Sequence, residues 1–327
     1  MYKPKKVAIV GMGRFGKTLL RLLKHDFEII EYSRKGNVSL AEVYKADCIF
    51  YCVPIDTFEH VIRLHKKFFK SQTLIDVLSV KEHPARIFSK YTKGTNVQTI
   101  LTHPMFGPDS SKNGFTGLPL IMNQNTSQNE TYNFWKNYFT SKQLRVVELA
   151  PIEHDTLAAK SQGLTHFVGR LLDQINFQKT AIDSVGALKL REVQEQTCND
   201  TWQLFLNLQN YNRFTKSMRL KLGNAYDKLY NRLLPRRVHK STLVFGIQGG
   251  RGSFNEQALH DYVMRHEIKN YRIRYLFTSE RVLSALHKGD IDYGQFAIHN
   301  SIGGMVRESI LAIARYKFFI IEDFEFR

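Results

Sequence analysis

Lys6-Val7-Ala8-Ile9-Val10-Gly11-Met12-Gly13-Arg14-Phe15-Gly16 decides how this 327-residue chain begins to fold. A short apolar run breaks into glycines spaced G-x-G-x-x-G, and Lys17-Thr18-Leu19-Leu20-Arg21-Leu22-Leu23 continues with apolar residues at helical spacing. The stretch reads as strand, tight turn and helix. Gly11 makes the turn, Gly13 lets backbone approach a pyrophosphate, and Gly16 lets helix pack on strand; the helix start supplies amide donors and a positive dipole end. A dinucleotide is the implied ligand, and Arg14 and Phe15 join the three glycines in the expected cofactor set.

Downstream, Phe27 to Tyr32 reads as a second strand that ends on Ser33-Arg34-Lys35. An acidic residue at this tip binds the ribose 2′-hydroxyl of NAD, whereas a hydroxyl beside a cation suits the extra phosphate of NADP. Ser33 and Arg34 therefore predict NADP, with NAD left open by Glu31 two residues earlier. Asp47 to Ile55 is a near-continuous apolar run of the kind a central parallel strand needs, and it closes at Val53-Pro54, which the reading places beside the cofactor. A helix is expected over 57–69. Strands at 73–78 and 97–101 follow, ending at Ser79-Val80-Lys81 and Thr102-His103-Pro104. Polar or proline-bearing tips thus gather at one sheet edge, where open α/β sheets bind ligands.

Cys52-Val53-Pro54-Ile55, Asp76-Val77-Leu78-Ser79-Val80-Lys81 and Thr102-His103-Pro104-Met105-Phe106-Gly107-Pro108-Asp109-Ser110 resemble the prephenate/arogenate dehydrogenases of tyrosine biosynthesis. Lys112-Asn113-Gly114-Phe115 is similar to the plant-type arogenate branch. The resemblance continues through Glu153-His154-Asp155, Ser161 to His166 and Asn210-Tyr211-Asn212, and covers about residues 5 to 230. It implies oxidative decarboxylation of a cyclohexadienol, in which hydride leaves the carbinol carbon for the nicotinamide and the hydroxyl proton needs an acceptor. An imidazole suits that task near neutral pH. The resemblance makes His103 this group and Ser79 a second polar contact; Ser79 also reads as an N-cap of the next helix.

The segments 118–122 and 144–149 read as edge-like strands, and from Pro151 to about Arg236 the pattern is apolar-periodic and helical. Family resemblance makes this an all-helical domain that dimerises and closes over substrate, with Leu157, Leu164, Phe167 and Leu171 on its apolar face. Gln162, Thr165 and His166 match the helix that lines the family's pocket and are expected to meet the ring carboxylate. Arg191 is the first choice for a side-chain carboxylate clamp, ahead of Arg170 and Arg213, because guanidinium binds carboxylate bidentately. Asp200 falls where plant-type sequences carry Asp or Asn associated with substrate choice, and a carboxylate there suits the amine of arogenate.

Leu233 to Lys240 is basic, contains a proline and reads as a linker. Beyond it strands and helices alternate again: strands at 243–247, 272–277, 293–298 and 317–321, helices at 253–265, 279–288 and 305–316. Gln248 to Glu256, Gly289 to Gly294 and Ile298 to Gly304 resemble the first lobe of prephenate dehydratase. His299 stands where that family has Glu, and the second lobe's Thr-Arg-Phe motif does not follow, so the piece is expected to be catalytically silent. The predicted architecture is an α/β Rossmann-type domain over 1–150, an all-helical dimerisation domain over 151–236 and a small α/β domain over 237–327.

Composition narrows the remaining classes. The formal charge of +17 is spread along the chain without a basic helix or aromatic-basic platform, which favours anionic small molecules over nucleic acid. No membrane span or apolar leader is visible, so a cytoplasmic protein is expected. Cys48, Cys52 and Cys198 are too few and too ill-spaced for a disulfide framework or a metal site, and suit a reducing compartment. A two-domain β-hydroxyacid-type dehydrogenase and a non-catalytic NADP/aromatic-precursor sensor remain as alternative readings.

Overall fold

The computed structural model describes residues 2–233 and 241–325; the linker at 234–240 and the boundary at 236/237 lie outside the described residues. Two compact units divide the chain, one ending at Leu220 and the other beginning at Lys221.

In the first unit, β1 (Lys6–Val10), β2 (Glu28–Tyr32), β3 (Cys48–Tyr51), β4 (Thr73–Asp76), β5 (Gln98–Pro104), β6 (Pro119–Asn123) and β7 (Arg145–Glu148) form one sheet in the order β2-β1-β3-β4-β5-β6-β7. The strands β1 to β5 are parallel. β3 and β4 are buried along their whole length because helices cover both sheet faces. On one face α3 (Ile55–His65) and α4 (Glu82–Thr92) bring Phe58, Ile62, Ile87 and Phe88 against Ile49, Tyr51 and Leu74. On the other, α1 (Arg14–Leu23) and α5 (Asn129–Ser141) bring Leu19, Leu22, Leu23, Trp135 and Phe139 against Ile9, Phe50 and Ile75. Strand order reverses between β1 and β3, which opens a crevice at their carboxyl ends.

Two local expectations change. Of the two segments expected as edge strands, β7 is one and β6 is not: β6 pairs antiparallel with β5 and parallel with β7, and this two-sided pairing buries Leu120, Ile121 and Met122. The helix expected at 57 starts at Ile55, directly after Pro54 as N-cap, and tightens into a 3₁₀ turn at Lys66–Phe68.

Helices α6 (Pro151–Ala158), α7 (Leu164–Gln174), α8 (Val185–Cys198), α9 (Trp202–Tyr211) and α10 (Thr215–Leu233) complete the segment that begins at Pro151. Proline suits that first helical position because the missing N–H would have no intrahelical partner. A π-helical turn, Ala159–Gly163, which contains Gln162, joins α6 to α7. Gln209 Nε2 donates to the Gly163 carbonyl at 2.8 Å and so satisfies backbone at the end of the turn.

The second unit holds a parallel three-stranded sheet in the order β10-β8-β9, built from β8 (Leu243–Ile247), β9 (Tyr271–Tyr275) and β10 (Tyr293–Gln295). α11 (Phe254–Arg265), α12 (Ser279–His287) and α13 (Arg307–Ile313) accompany it, with a short hairpin of β11 (His299–Asn300) and β12 (Gly304–Met305). Residues 317–321, expected as a strand, form none: no neighbouring strand pairs with them, and Phe319, Ile320 and Ile321 are exposed.

Candidate active site

The turn after β1 is shaped as a nucleotide cradle. Gly11 has φ +105° and donates its N–H to the Tyr32 carbonyl at 2.9 Å; a Cβ there would meet the Cys52 carbonyl oxygen at 2.3 Å. A Cβ on Gly16 would meet the Gly11 oxygen at 2.0 Å, so helix and turn touch only because both are glycine. Gly13 faces open space, and α1 has no side-chain cap and no acidic residue in its first turn. Uncapped amides at a positive dipole end fit a pyrophosphate. Val53 lies against Gly11 and Pro54 caps α3, so both residues border the cradle. Phe15 leans towards Phe106 with ring centroids 6.3 Å apart. At the β2 tip Ser33 is half-buried, while Arg34 and Lys35 are exposed.

His103 occupies the end of β5 and is 2% exposed. Its Nδ1 is 2.8 Å from His154 Nε2, and His154 Nδ1 is 2.8 Å from Asp155 Oδ1. Asp155 in turn accepts the backbone N–H groups of Lys81 at 2.7 Å and Glu82 at 3.0 Å, one on each oxygen. Both oxygens are acceptors, so His154 Nδ1 carries the hydrogen and His154 Nε2 accepts. His103 Nδ1 must then donate, which leaves the lone pair on His103 Nε2. Burial holds the His103 imidazole well below its ordinary pKa, with further depression from His154, Lys81 and His166. His154 is lowered as well, again chiefly by burial. The arrangement is therefore a neutral base with a fixed tautomer.

Lys81 anchors this row from beneath. Its ammonium, 1% exposed, contacts the Asp76 carboxylate and the Thr102 carbonyl, tying the tips of β4 and β5 together just before His103. Asp76 Oδ1 also accepts the Thr102 N–H at 3.2 Å. Burial pushes the Asp76 carboxyl up and the Lys81 amine down, partly offset by their mutual attraction. Ser79 is half-buried and does not cap α4: the N-cap is Lys81, and Asp155 satisfies the first amides instead.

Opposite the sheet edge, Gln162, His166 and Arg170 recur along the run from the π-helical turn into α7. Gln162 Oε1, His166 Nδ1 and Arg170 Nε are each buried without a hydrogen-bond partner. Arg170 stacks over Trp202 at 4.6 Å and donates to the Asp200 carbonyl at 2.5 Å. His166 is near enough to feel the charges of Asp200 and Arg170 and to bear on His103. Burial raises the Asp200 carboxyl, against the pull of His166 and Arg14. The structure thus brings His166 near His103 and Asp200, with Gln162 four residues before His166 in the chain. Thr165 is exposed, and Arg191 spends its guanidinium on Glu195, four residues along α8, at 3.2 Å. Arg213 forms a bidentate pair with Glu82 at 2.9 and 3.0 Å. Among the described residues no cluster of His, Cys, Asp or Glu has the geometry of a metal site, and no helix is long and apolar enough to cross a membrane.

In the sequence His154 and Asp155 stand out only as part of a motif, and nothing there marks Lys81. The adjacent His-Asp pair was the available signal, since one residue orients the other only where a third imidazole is in reach.

Comparison with known proteins gives the family. A family described as "Prephenate dehydrogenase, nucleotide-binding domain" matches residues 25–148, one described as "TYRAAT1-like, C-terminal domain" matches 171–242, and "Prephenate dehydratase" matches 245–327. Arogenate dehydrogenase 2, chloroplastic, of Arabidopsis thaliana is 30% identical over 253 residues, covering 71% of this chain and 70% of the plant protein. The chain belongs to the prephenate/arogenate dehydrogenase family.

Other members place it further. Arogenate dehydrogenase 1, chloroplastic, from the same plant is 31% identical over 71% of this chain, which spans 39% of that longer protein. Among solved structures, Synechocystis arogenate dehydrogenase superposes with a TM-score of 0.52 at 20% identity, over 69% of this chain and 90% of its own. Prephenate dehydrogenase from A. aeolicus, in complex with hydroxyphenyl propionate and NAD+, gives a TM-score of 0.56 at 16% identity, over 82% and 99%. These two likenesses support the fold. The carboxyl-terminal unit carries a prephenate dehydratase domain on a dehydrogenase chain.

Proposed function

We propose that this chain oxidises and decarboxylates arogenate, with prephenate as a weaker substrate, using NADP in tyrosine biosynthesis. The lone pair on His103 Nε2, fixed by the His154-Asp155 row, is the observation that carries the reading. A bound nicotinamide supplies the hydride acceptor. His103 Nε2 takes the hydroxyl proton as the carbinol carbon becomes a carbonyl; the ring carboxylate then leaves as carbon dioxide, its bonding electrons make the ring a phenolate, and His103 returns the proton to give a phenol. Aromatisation drives the second step, so the residues mainly orient the ring and hold one proton. The depressed basicity of His103 suits an acceptor that must be unprotonated before the substrate's hydroxyl becomes strongly acidic.

Gln162 and His166 are the ring-carboxylate contacts in this reading, with Thr165 at the outer rim and Ser79 near the hydroxyl. Arg170 replaces Arg191 as the side-chain carboxylate partner, because Arg191 is already engaged on its own helix while the Arg170 guanidinium lies beside Asp200. Asp200 pairs with the ammonium of arogenate. Ser33 and Arg34 support NADP over NAD. Leu157, Leu171, Leu188, Trp202 and Leu206 are each more than two-fifths exposed, an apolar surface that supports a homodimer through the helices. We assign the protein to the cytoplasm or another reducing compartment, where the free thiols of Cys48, Cys52 and Cys198 are stable. Neither nucleic acid nor membrane is part of the reading. The dehydratase-like unit is catalytically silent, with exposed His299 where that family carries Glu.

Absorbance of the reduced cofactor, followed with arogenate and prephenate against NADP and NAD, tests the proposal. Arogenate with NADP is expected to have the highest kcat/KM. Absence of turnover in all four combinations overturns it and leaves a binding-only sensor.

A further inference from the structure

Arg14 is the first residue of α1 and directly follows Gly13, so its backbone belongs to the nucleotide cradle. Its side chain leaves the cradle. Nη1 donates to the Asn199 carbonyl at 2.8 Å and lies 3.4 Å from Asp200 Oδ1, while Nη2 is 3.0 Å from Asp109 Oδ2. One guanidinium therefore joins three places: the glycine turn, the loop after β5, and the junction of α8 with α9 that carries Asp200. The side chains of Arg14, Asp109 and Asp200 are 47%, 52% and 29% exposed, so water screens these pairs and none is strong enough to lock the arginine.

We propose that Arg14 couples the two ligand sites: a dinucleotide phosphate draws its guanidinium away from Asp200 and so exposes that carboxylate to a substrate ammonium. A pyrophosphate at the α1 terminus brings two adjacent negative charges and several oxygen acceptors to the guanidinium, which outcompete the water-screened contacts to Asp200 at 3.4 Å and Asp109 at 3.0 Å. Once released, Asp200 faces His166 and Arg170, with Asp109 across the vacated position. Of the groups around it, a compact ammonium is the ligand an anion there selects. An amino-acid ligand therefore gains affinity from the cofactor, whereas the corresponding keto acid, which has no ammonium to offer, does not. The inference rests on the reading of Asp200 as the ammonium partner.

Calorimetric titration of the full chain with L-tyrosine and with 4-hydroxyphenylpyruvate, each with and without saturating NADP, reads the coupling directly. L-Tyrosine is expected to bind about fivefold or more tightly with NADP present, and NADP to gain the same factor from L-tyrosine; the keto acid changes by less than about twofold. Arg14→Gln brings the L-tyrosine factor below about twofold by improving binding without NADP, because Asp200 is then already free. Asp109→Asn, which leaves Arg14 and Asp200 in place, keeps the factor at its wild-type size or enlarges it, and Arg14→Lys retains part of it. A wild-type factor below about twofold, equal coupling of the keto acid, or full coupling in folded Arg14→Gln overturns the inference. Arogenate turnover by the same wild-type preparation separates the cases: turnover without coupling removes this inference alone, and no turnover of either substrate removes the function with it.

Discussion

His154 Nε2 accepts from His103 Nδ1 across 2.8 Å, although His103 ends a strand of the nucleotide-binding sheet and His154 lies in the first helix beyond it. Through this contact the helical segment sets the tautomer of the His103 imidazole, and Asp155 holds His154 in place by capping α4. His103→Asn is expected to lower kcat by about 10²- to 10⁴-fold, the range for a lost general base, with NADP affinity unchanged. His154→Leu removes the acceptor and leaves a buried His103 N–H unpaired, which costs about 1–3 kcal/mol of stability; with the His103 tautomer no longer held, kcat is expected to fall, by less than in His103→Asn. Steady-state kinetics with parallel cofactor titration checks both. A His154→Leu enzyme as fast as wild type contradicts the relay.

In the proposed function, cofactor choice turns on the β2 tip. Ser33→Asp places an anion against the extra phosphate and an acceptor for a free ribose hydroxyl, and is expected to move the NADP-to-NAD ratio of kcat/KM towards NAD by about tenfold or more. Measuring that ratio in both enzymes decides the point; an unmoved ratio means the phosphate lies elsewhere.

Lys81 is buried against Asp76 with the Thr102 carbonyl. Lys81→Met strands the Asp76 carboxylate in the interior, and breaking a buried pair from one side costs about 3–5 kcal/mol. Urea denaturation should show that loss, whereas Lys81→Met with Asp76→Leu should recover much of it.

His65 predicts an acid limit. Its Nδ1 meets the Tyr44 hydroxyl at 3.0 Å inside a buried cluster with Tyr51, and burial lowers its pKa to about 4. The unfolded chain, with an ordinary imidazole, binds the proton first as pH falls through about 6.5. Between that pH and about 4 the unfolded state holds more protons, so stability drops with acidification over this window and levels off below it as far as His65 is concerned. Urea midpoints at pH 7 and pH 5 check this, and His65→Gln should show a shallower fall.

The carboxyl-terminal unit should bind or assemble without dehydrating. Incubation with prephenate is expected to yield no phenylpyruvate at enzymatic rates; such product refutes a silent unit.

The glycine turn, the parallel strands and the position of His103 were legible in the sequence because each is a local statement. A G-x-G-x-x-G after an apolar run, or a histidine before a proline at a strand tip, needs only its neighbours. What the tertiary structure alone decided is which side chains meet. The partners that orient His103, cap α4 and occupy Arg14 lie 51, 73 to 74 and up to 186 positions away, and no periodicity encodes such pairs. Arg191 stands out in the sequence for its charge, and the fold gives it a partner four residues along its own helix. Chain order sets the elements; the packing of α6 to α9 on the sheet edge sets the chemistry, because a proton's position depends on contacts that exist only once both are in place.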